Sequence, residues 1–132
     1  MERGKIFEFA RAVLSDDPAH ISDAHPVIPP TFLSTTFHWE KRVEGANPWA
    51  LVQMSEERGM HAEQEYIFHG PPPRAGDRLF AQARISEIYD KKSRTGTVLT
   101  FVKMVTEFRD DQGRLVAESI LTGVERAPEE DP

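Results

Sequence analysis

The sequence predicts an α+β domain, an antiparallel β-sheet with a helix across its apolar face, and three observations carry that prediction. Its second half holds an alternating run over residues 61–69 and then three long runs over residues 79–89, 97–109 and 114–126 joined by short turns, with 97–109 dense in Thr, Val, Leu and Phe. Consecutive strands joined by short breaks pair antiparallel, because a parallel neighbour needs a long crossover connection. A sheet with one apolar face must bury it under another layer, and the apolar segment opened by Pro29-Pro30 is the helix at hand. At 132 residues the chain has room for one core and not for two. We therefore expect a single domain over residues 1–127 and an acidic tail over residues 128–132.

Taken in order, Ile6, Phe9, Ala10 and Val13 fall at i, i+3, i+4 and i+7, the apolar stripe of a short amphipathic helix. That helix should end at Asp16-Asp17-Pro18, since the residue before a proline is pushed out of the α region. Residues 18–30 carry Pro18, Pro26, Pro29 and Pro30 and read as an extended loop. Pro30 then stands at the first turn of a second helix, pre-organised for it and sacrificing no bond, which runs to about Trp39. Thr31, Thr35, Thr36 and Phe37 are weak helix formers, so burial against the sheet has to hold this helix. Residues 40–47 form a polar connection, and Trp49, Leu51, Val52 and Met54 fit helix and strand equally.

From residue 61 the chain alternates, with Ala62, Tyr66 and Phe68 on one face and Glu63, Glu65 and Ile67 on the other, until Gly70-Pro71-Pro72-Pro73 stops it. Lys91-Lys92-Ser93-Arg94-Thr95-Gly96 links the next two strands. Asp110-Asp111-Gln112-Gly113 separates the last two through a turn whose glycine can take positive φ.

Composition excludes several functions. Without cysteine there are no disulfides, thiolate nucleophiles or Cys-based zinc sites. A net charge of -6 argues against a general nucleic-acid or anionic-membrane binder. No apolar run approaches the roughly 20 residues of a membrane span, and the first residues do not have the pattern of a secretory leader. We expect a soluble, cytoplasmic protein. Five histidines at irregular spacing predict no metal site, and no cofactor is expected.

The order of elements, together with Ile28-Pro29-Pro30-Thr31-Phe32-Leu33, His61-Ala62-Glu63-Gln64-Glu65-Tyr66, Pro73-Arg74-Ala75-Gly76-Asp77 and Thr97-Val98-Leu99-Thr100-Phe101-Val102, resembles the MaoC-like dehydratase N-terminal family over nearly the whole chain. The resemblance implies a hot-dog fold, an antiparallel β-sheet wrapped around a central α-helix. It also implies an acyl thioester as substrate, delivered by coenzyme A or a carrier protein, with trans-2-enoyl and (3R)-hydroxyacyl forms as the pair interconverted. A homodimer or heterodimer with a second hot-dog chain is implied as well.

Active members resemble the pattern Gly-Asp-x-Asn-Pro-x-His, whose Asp and His act on the water added or removed. Aligned on Pro18, this chain has His20 at the histidine, Asp17 at the Asn, Ser15 at the catalytic Asp and Leu14 at the Gly. A serine hydroxyl does not take up a proton near neutral pH, so the simple dyad is broken. Between His20 and Pro29 the chain is also several residues shorter than typical members. We take His20, Ser15 and Asp17 as the candidate catalytic set. Reversible hydration further needs a donor at the thioester oxygen where enolate charge develops. A central helix N-terminus at Pro30, Thr31 and Phe32 would supply it, with Phe32, Phe37 and Trp39 lining the acyl chain. His61 and Glu63, two apart on one strand face, would line the tunnel or the subunit interface.

Other readings of the same residues stand beside these. Asp16 and Asp17 are ordinary turn formers before a proline, His20 is a capping loop histidine, and His61 and Glu63 are a polar pair in the sheet. Asp23 and His25 would complete a site in the shortened loop, or simply build it. Arg74, Lys91, Lys92 and Arg94 would attract the phosphates of a coenzyme A arm, or be solvated turn residues. At the level of function the rivals are an inactive acyl-binding partner subunit and a hot-dog thioesterase using Glu40.

Overall fold

The computed structural model describes residues 1–38 and 48–128, side chains at 37 and 38 excepted. Its elements are α1 (Arg3–Ala12), α2 (Pro18–Ile21), 3-10 helices at Phe32–His38 and Pro48–Leu51, and strands β1 (Gly59–Phe68), β2 (Phe80–Lys92), β3 (Val98–Arg109) and β4 (Leu115–Arg126). The strands form a four-stranded sheet in the order β1-β4-β3-β2. Hairpins join β2 to β3 and β3 to β4. Bonds from Arg126 N–H to Arg58 O (3.1 Å) and from His69 N–H to Val116 O (2.9 Å) set β1 antiparallel to β4. The expected α+β class with an antiparallel sheet is what the chain adopts.

The segment after Pro30 is helical as expected, but of the 3-10 type over Phe32–His38 rather than α. Its own hydroxyls give a reason. Ser34 Oγ donates to Thr31 O (2.7 Å), Thr35 Oγ1 to Phe32 O (2.8 Å) and Thr36 Oγ1 to Leu33 O (2.8 Å). These bonds draw each carbonyl toward the residue three along, the tighter spacing of a 3-10 turn. The loop over residues 18–30 likewise holds one unforeseen element, the single turn α2.

The chain divides into two compact units. The first takes Met1–Lys41, Tyr66–Gln82 and Glu107–Ser119. Its core is Ile6, Ile28, Phe32, Leu33, Ala75, Phe108 and Ala117. Phe9 meets Phe32 edge-on at 5.4 Å, and each large side chain buried here contributes about 1.5–3 kcal/mol. Helix α1 is capped at its start by the Glu2 carboxylate, which accepts from Gly4 N–H (2.9 Å) and Lys5 N–H (2.8 Å). Its end is a Schellman motif: Leu14 N–H donates to Arg11 O, Ser15 N–H to Ala10 O, and Leu14 takes φ 58.

The second unit takes Arg42–Glu65, Ala83–Thr106 and Ile120–Pro132. Val102, Thr122 and Gly123 are buried in it. The ring of Trp49 covers Gly123 so closely that a Cβ there would stand 2.5 Å from Cη2. Tyr89 and Phe101 stack across β2 and β3 at 5.1 Å, with the Lys91 ammonium over both rings.

Candidate functional site

The geometry around His20 begins with the way α1 stops. The Schellman turn at Leu14 releases the chain at Ser15, and Asp17 N-caps α2, its Oδ1 accepting from Ala19 N–H at 2.8 Å. Pro18 occupies the first helical position, where its missing N–H costs nothing. One turn of helix then places the His20 ring, whose side chain is 12% exposed, beside its own cap.

His20 Nδ1 lies 2.9 Å from the carbonyl oxygen of Val27. A carbonyl can only accept, so Nδ1 carries the proton and the neutral ring keeps its lone pair on Nε2. That nitrogen is 4.0 Å from Asp17 Oδ2, beyond direct hydrogen bonding. A neutral Nε2 and an ionised carboxylate are both acceptors. A molecule offering two donors, such as a water, satisfies both.

Ser15 is placed differently from the carboxylate whose position it fills. Its Oγ accepts from Asp17 N–H at 3.4 Å, so it braces Asp17 instead of addressing His20. Of the three residues proposed for the anion-facing turn, Pro30 has no N–H, Phe32 N–H is taken by Pro29 O at 2.9 Å, and Thr31 is exposed. Phe32 itself is 4% exposed and belongs to the core. The Phe37 side chain, Trp39 and Glu40 lie outside the described residues. His61 and Glu63 share a solvent-exposed face of β1, where His61 Nε2 meets Glu63 O at 3.0 Å. Asp23 Oδ1 accepts from His25 N–H at 2.9 Å, which makes the pair a turn.

The loop carrying Val27 is tied to residues 73–75. Val27 forms an antiparallel bridge with Arg74, Ile28 N–H donates to Pro73 O (3.0 Å), Ala75 N–H to Pro26 O (2.9 Å), and Val27 N–H to Ala19 O (3.0 Å). Pairing with Ala19 and His20 on one side and Pro73 to Ala75 on the other fixes where the Val27 carbonyl points.

The first unit also holds a cleft of about 540 Å³ lined by His69, Pro73, Asp77, Arg78, Leu79 and Arg114 among others. Sequence reasoning passed it over. His69 Nε2 sits 2.7 Å from Glu118 Oε2 on β4, a cross-strand partner 49 residues away that no local pattern reveals. In the same unit burial raises the Tyr66 phenol above its ordinary value, partly offset by its hydrogen bond with Ser34.

A family model described as "FAS1-like, dehydratase domain region" matches residues 1–119. A UPF0336 protein of Mycolicibacterium paratuberculosis is 29% identical over 128 residues, 91% of this chain and 69% of that protein. The truncated HadBC (3R-hydroxyacyl-ACP dehydratase) complex from Mycobacterium tuberculosis is similar in structure, with TM-score 0.67 and 25% identity, over 93% of this chain and 86% of that one. The (R)-hydratase from A. caviae, involved in PHA biosynthesis, superposes with TM-score 0.58 at 15% identity over 93% and 86% of the two chains. These likenesses establish the hot-dog fold. Among the described residues no helix is long and apolar enough to cross a membrane.

Proposed function

The chain belongs to the FAS1-like, dehydratase domain region family, and from that premise we propose that it is a hydratase/dehydratase-type hot-dog protein acting on acyl thioesters in the cytoplasm. The observation that carries the reading is the His20 ring, held through Nδ1 on Val27 O with Nε2 turned toward Asp17 Oδ2 at 4.0 Å. A water accepted there gives one hydrogen to Nε2 and the other to the carboxylate. As its oxygen bonds to the β-carbon of a trans-2-enoyl thioester, Nε2 takes the proton and negative charge moves to the thioester oxygen. The imidazolium then returns that proton to the α-carbon, leaving the 3-hydroxyacyl thioester and the original neutral ring. Dehydration is the same path reversed. Asp17 orients the water, a role it fills while ionised.

A second reading is favoured by Ser15. Its Oγ accepts from Asp17 N–H, and the position that resembles the catalytic Asp supplies no carboxylate. The chain is then an acyl-binding partner in a heterodimer whose other hot-dog subunit holds an intact dyad. The similar HadBC structure is by name a complex.

The test is an assay of purified protein against crotonyl-CoA and a longer enoyl-CoA, alone and mixed with a second hot-dog chain. Loss of enoyl absorbance and release of free thiol are followed separately. Hydration by the protein alone, lost in His20→Ala, supports the enzyme, and hydration only in the mixture supports the partner subunit. Full activity of His20→Ala refutes the role of His20, and thiol release in place of hydration points to a thioesterase.

A further inference from the structure

Arg74 touches the His20 loop at both ends of its reach. Its backbone bridges Val27, while its guanidinium Nη1 donates to His25 O at 3.0 Å and stands 3.5 Å from Asp23 Oδ2. Its own N–H is anchored on Asp77 Oδ2 at 2.8 Å, so the clamp is fixed to a turn and not to a loose loop. The segment held in this way, residues 23–27, ends in the carbonyl that receives the His20 Nδ1 proton. The side chains of Arg74 and Asp23 are about half exposed, at 51% and 47%. An ion pair so open to solvent adds little stability. What the arrangement supplies is geometry.

We infer that Arg74 is a positioning residue whose side chain, holding residues 23 and 25 beside the main-chain pairing of residues 26–28, keeps the Val27 carbonyl on His20 Nδ1 and so keeps the imidazole in the tautomer whose Nε2 can act as a base. The inference rests on the proposed role of His20 only for its kinetic consequence, because the tautomer is a property of the free protein. A histidine released from Val27 O reverts to the mixture of tautomers found in water, in which the form protonated on Nε2 has no lone pair facing Asp17. The residue type alone offers another use for Arg74, attraction of a coenzyme A phosphate, and the two uses predict different kinetics. Removing a phosphate interaction made equally in ground and transition state raises KM and leaves kcat unchanged. Losing the tautomer lowers kcat and leaves KM nearly unchanged.

The experiment is nitrogen-15 NMR of histidine-labelled protein, with the His20 signals assigned by their loss in His20→Ala. The wild type should show His20 protonated on Nδ1. Arg74→Ala should move it toward the Nε2-protonated form, by about fivefold in the tautomer ratio for the loss of one hydrogen bond of ordinary net strength, and kcat should fall in proportion to the remaining Nδ1-protonated population. Arg74→Lys, which keeps the charge without the planar fork, should lie between, and Arg74→Gln serves if the alanine variant does not fold. An unchanged His20 tautomer in a folded Arg74 variant overturns the inference, as does a wild-type ring already protonated on Nε2; a pure KM effect with the tautomer unchanged assigns Arg74 to the phosphate instead. If the tautomer shifts while His20→Ala keeps full hydratase activity, Arg74 positions His20 as inferred and the proposed catalytic role of His20 is what fails.

Discussion

Replacing Leu14 with glycine should stabilise the protein, although it deletes a whole apolar side chain. Leu14 takes φ 58, the left-handed region in which an L side chain crowds its own carbonyl at a cost of about 1–2 kcal/mol. It is 89% exposed, so little burial is lost with it. Against that relief, glycine gives up more backbone freedom on folding, about 0.5–1 kcal/mol. The balance is a gain of about 0.5–1 kcal/mol, or roughly 2–4 °C in Tm for a chain of this size. Thermal and urea unfolding of Leu14→Gly beside Leu14→Ala separates backbone from side chain, since alanine keeps the crowded Cβ and should stay within about 0.5 kcal/mol of wild type. A glycine variant no more stable than wild type would refute the argument. The result bears on function too. The register that sets Ser15 at the catalytic carboxylate also sets Leu14 at the glycine of the family pattern, and this is where the chain turns left-handed.

Because Ser15 Oγ is turned to Asp17 N–H and not to His20, Ser15→Asp should leave enoyl-CoA hydration close to wild type; a gain of about tenfold or more, the scale of general acid–base effects, would mean that position 15 does face the reacting atoms. Gly123→Val should force the Trp49 ring off β4, given the 2.5 Å approach already present, at a cost of about 1–3 kcal/mol. The displacement would be read as a red-shifted Trp49 emission in a Trp39→Phe background. Glu2→Ala should destabilise near neutral pH and not in acid. The N–H groups of Gly4 and Lys5 hold the Glu2 carboxyl below its ordinary 4.5, so its capping is fully present above that value and fades as pH falls through the lowered one. Urea midpoints of the two proteins should therefore converge in acid, and a gap unchanged down to acid pH would contradict the cap.

Much of the fold was legible because its signals are local. The alternation over residues 61–69 and the Asp110 turn each specify their own geometry. Asp110 Oδ1 accepts from Gln112 N–H and Arg114 N–H at 2.9 Å, with Gly113 at φ 79. The helix type after Pro30 was not legible from propensity. Poor helix formers at Thr35 and Thr36 signalled a need for burial, while the outcome depended on where their hydroxyls bonded. In the site, Pro18 and His20 located the histidine, and Asp17 was visible as a turn former. The partner that sets the His20 tautomer is a carbonyl seven residues on, held by strand-like pairing with residues 73–75. A main-chain oxygen carries no side-chain identity, so no motif could announce it.

Asp17 has two tasks within one carboxylate, and they constrain each other. Oδ1 is committed to Ala19 N–H, which fixes the rotamer, and that rotamer turns Oδ2 toward His20. A cap bond to an ionised acceptor is stronger than one to a neutral one, so the charge that suits Asp17 for orienting a water also strengthens the turn that presents His20. The shortened loop is consistent with this economy: α2 is a single turn, and Val27 N–H returns at once to Ala19 O. Asn at position 17 would preserve the cap through its amide oxygen and put a neutral amide where Oδ2 now stands. Asp17→Asn thus separates the two tasks, keeping the fold while removing the charge, whereas Asp17→Ala removes both. If Asp17 serves only α2, the Asn variant matches wild type in stability and in hydration; if it orients the water, hydration alone is lost.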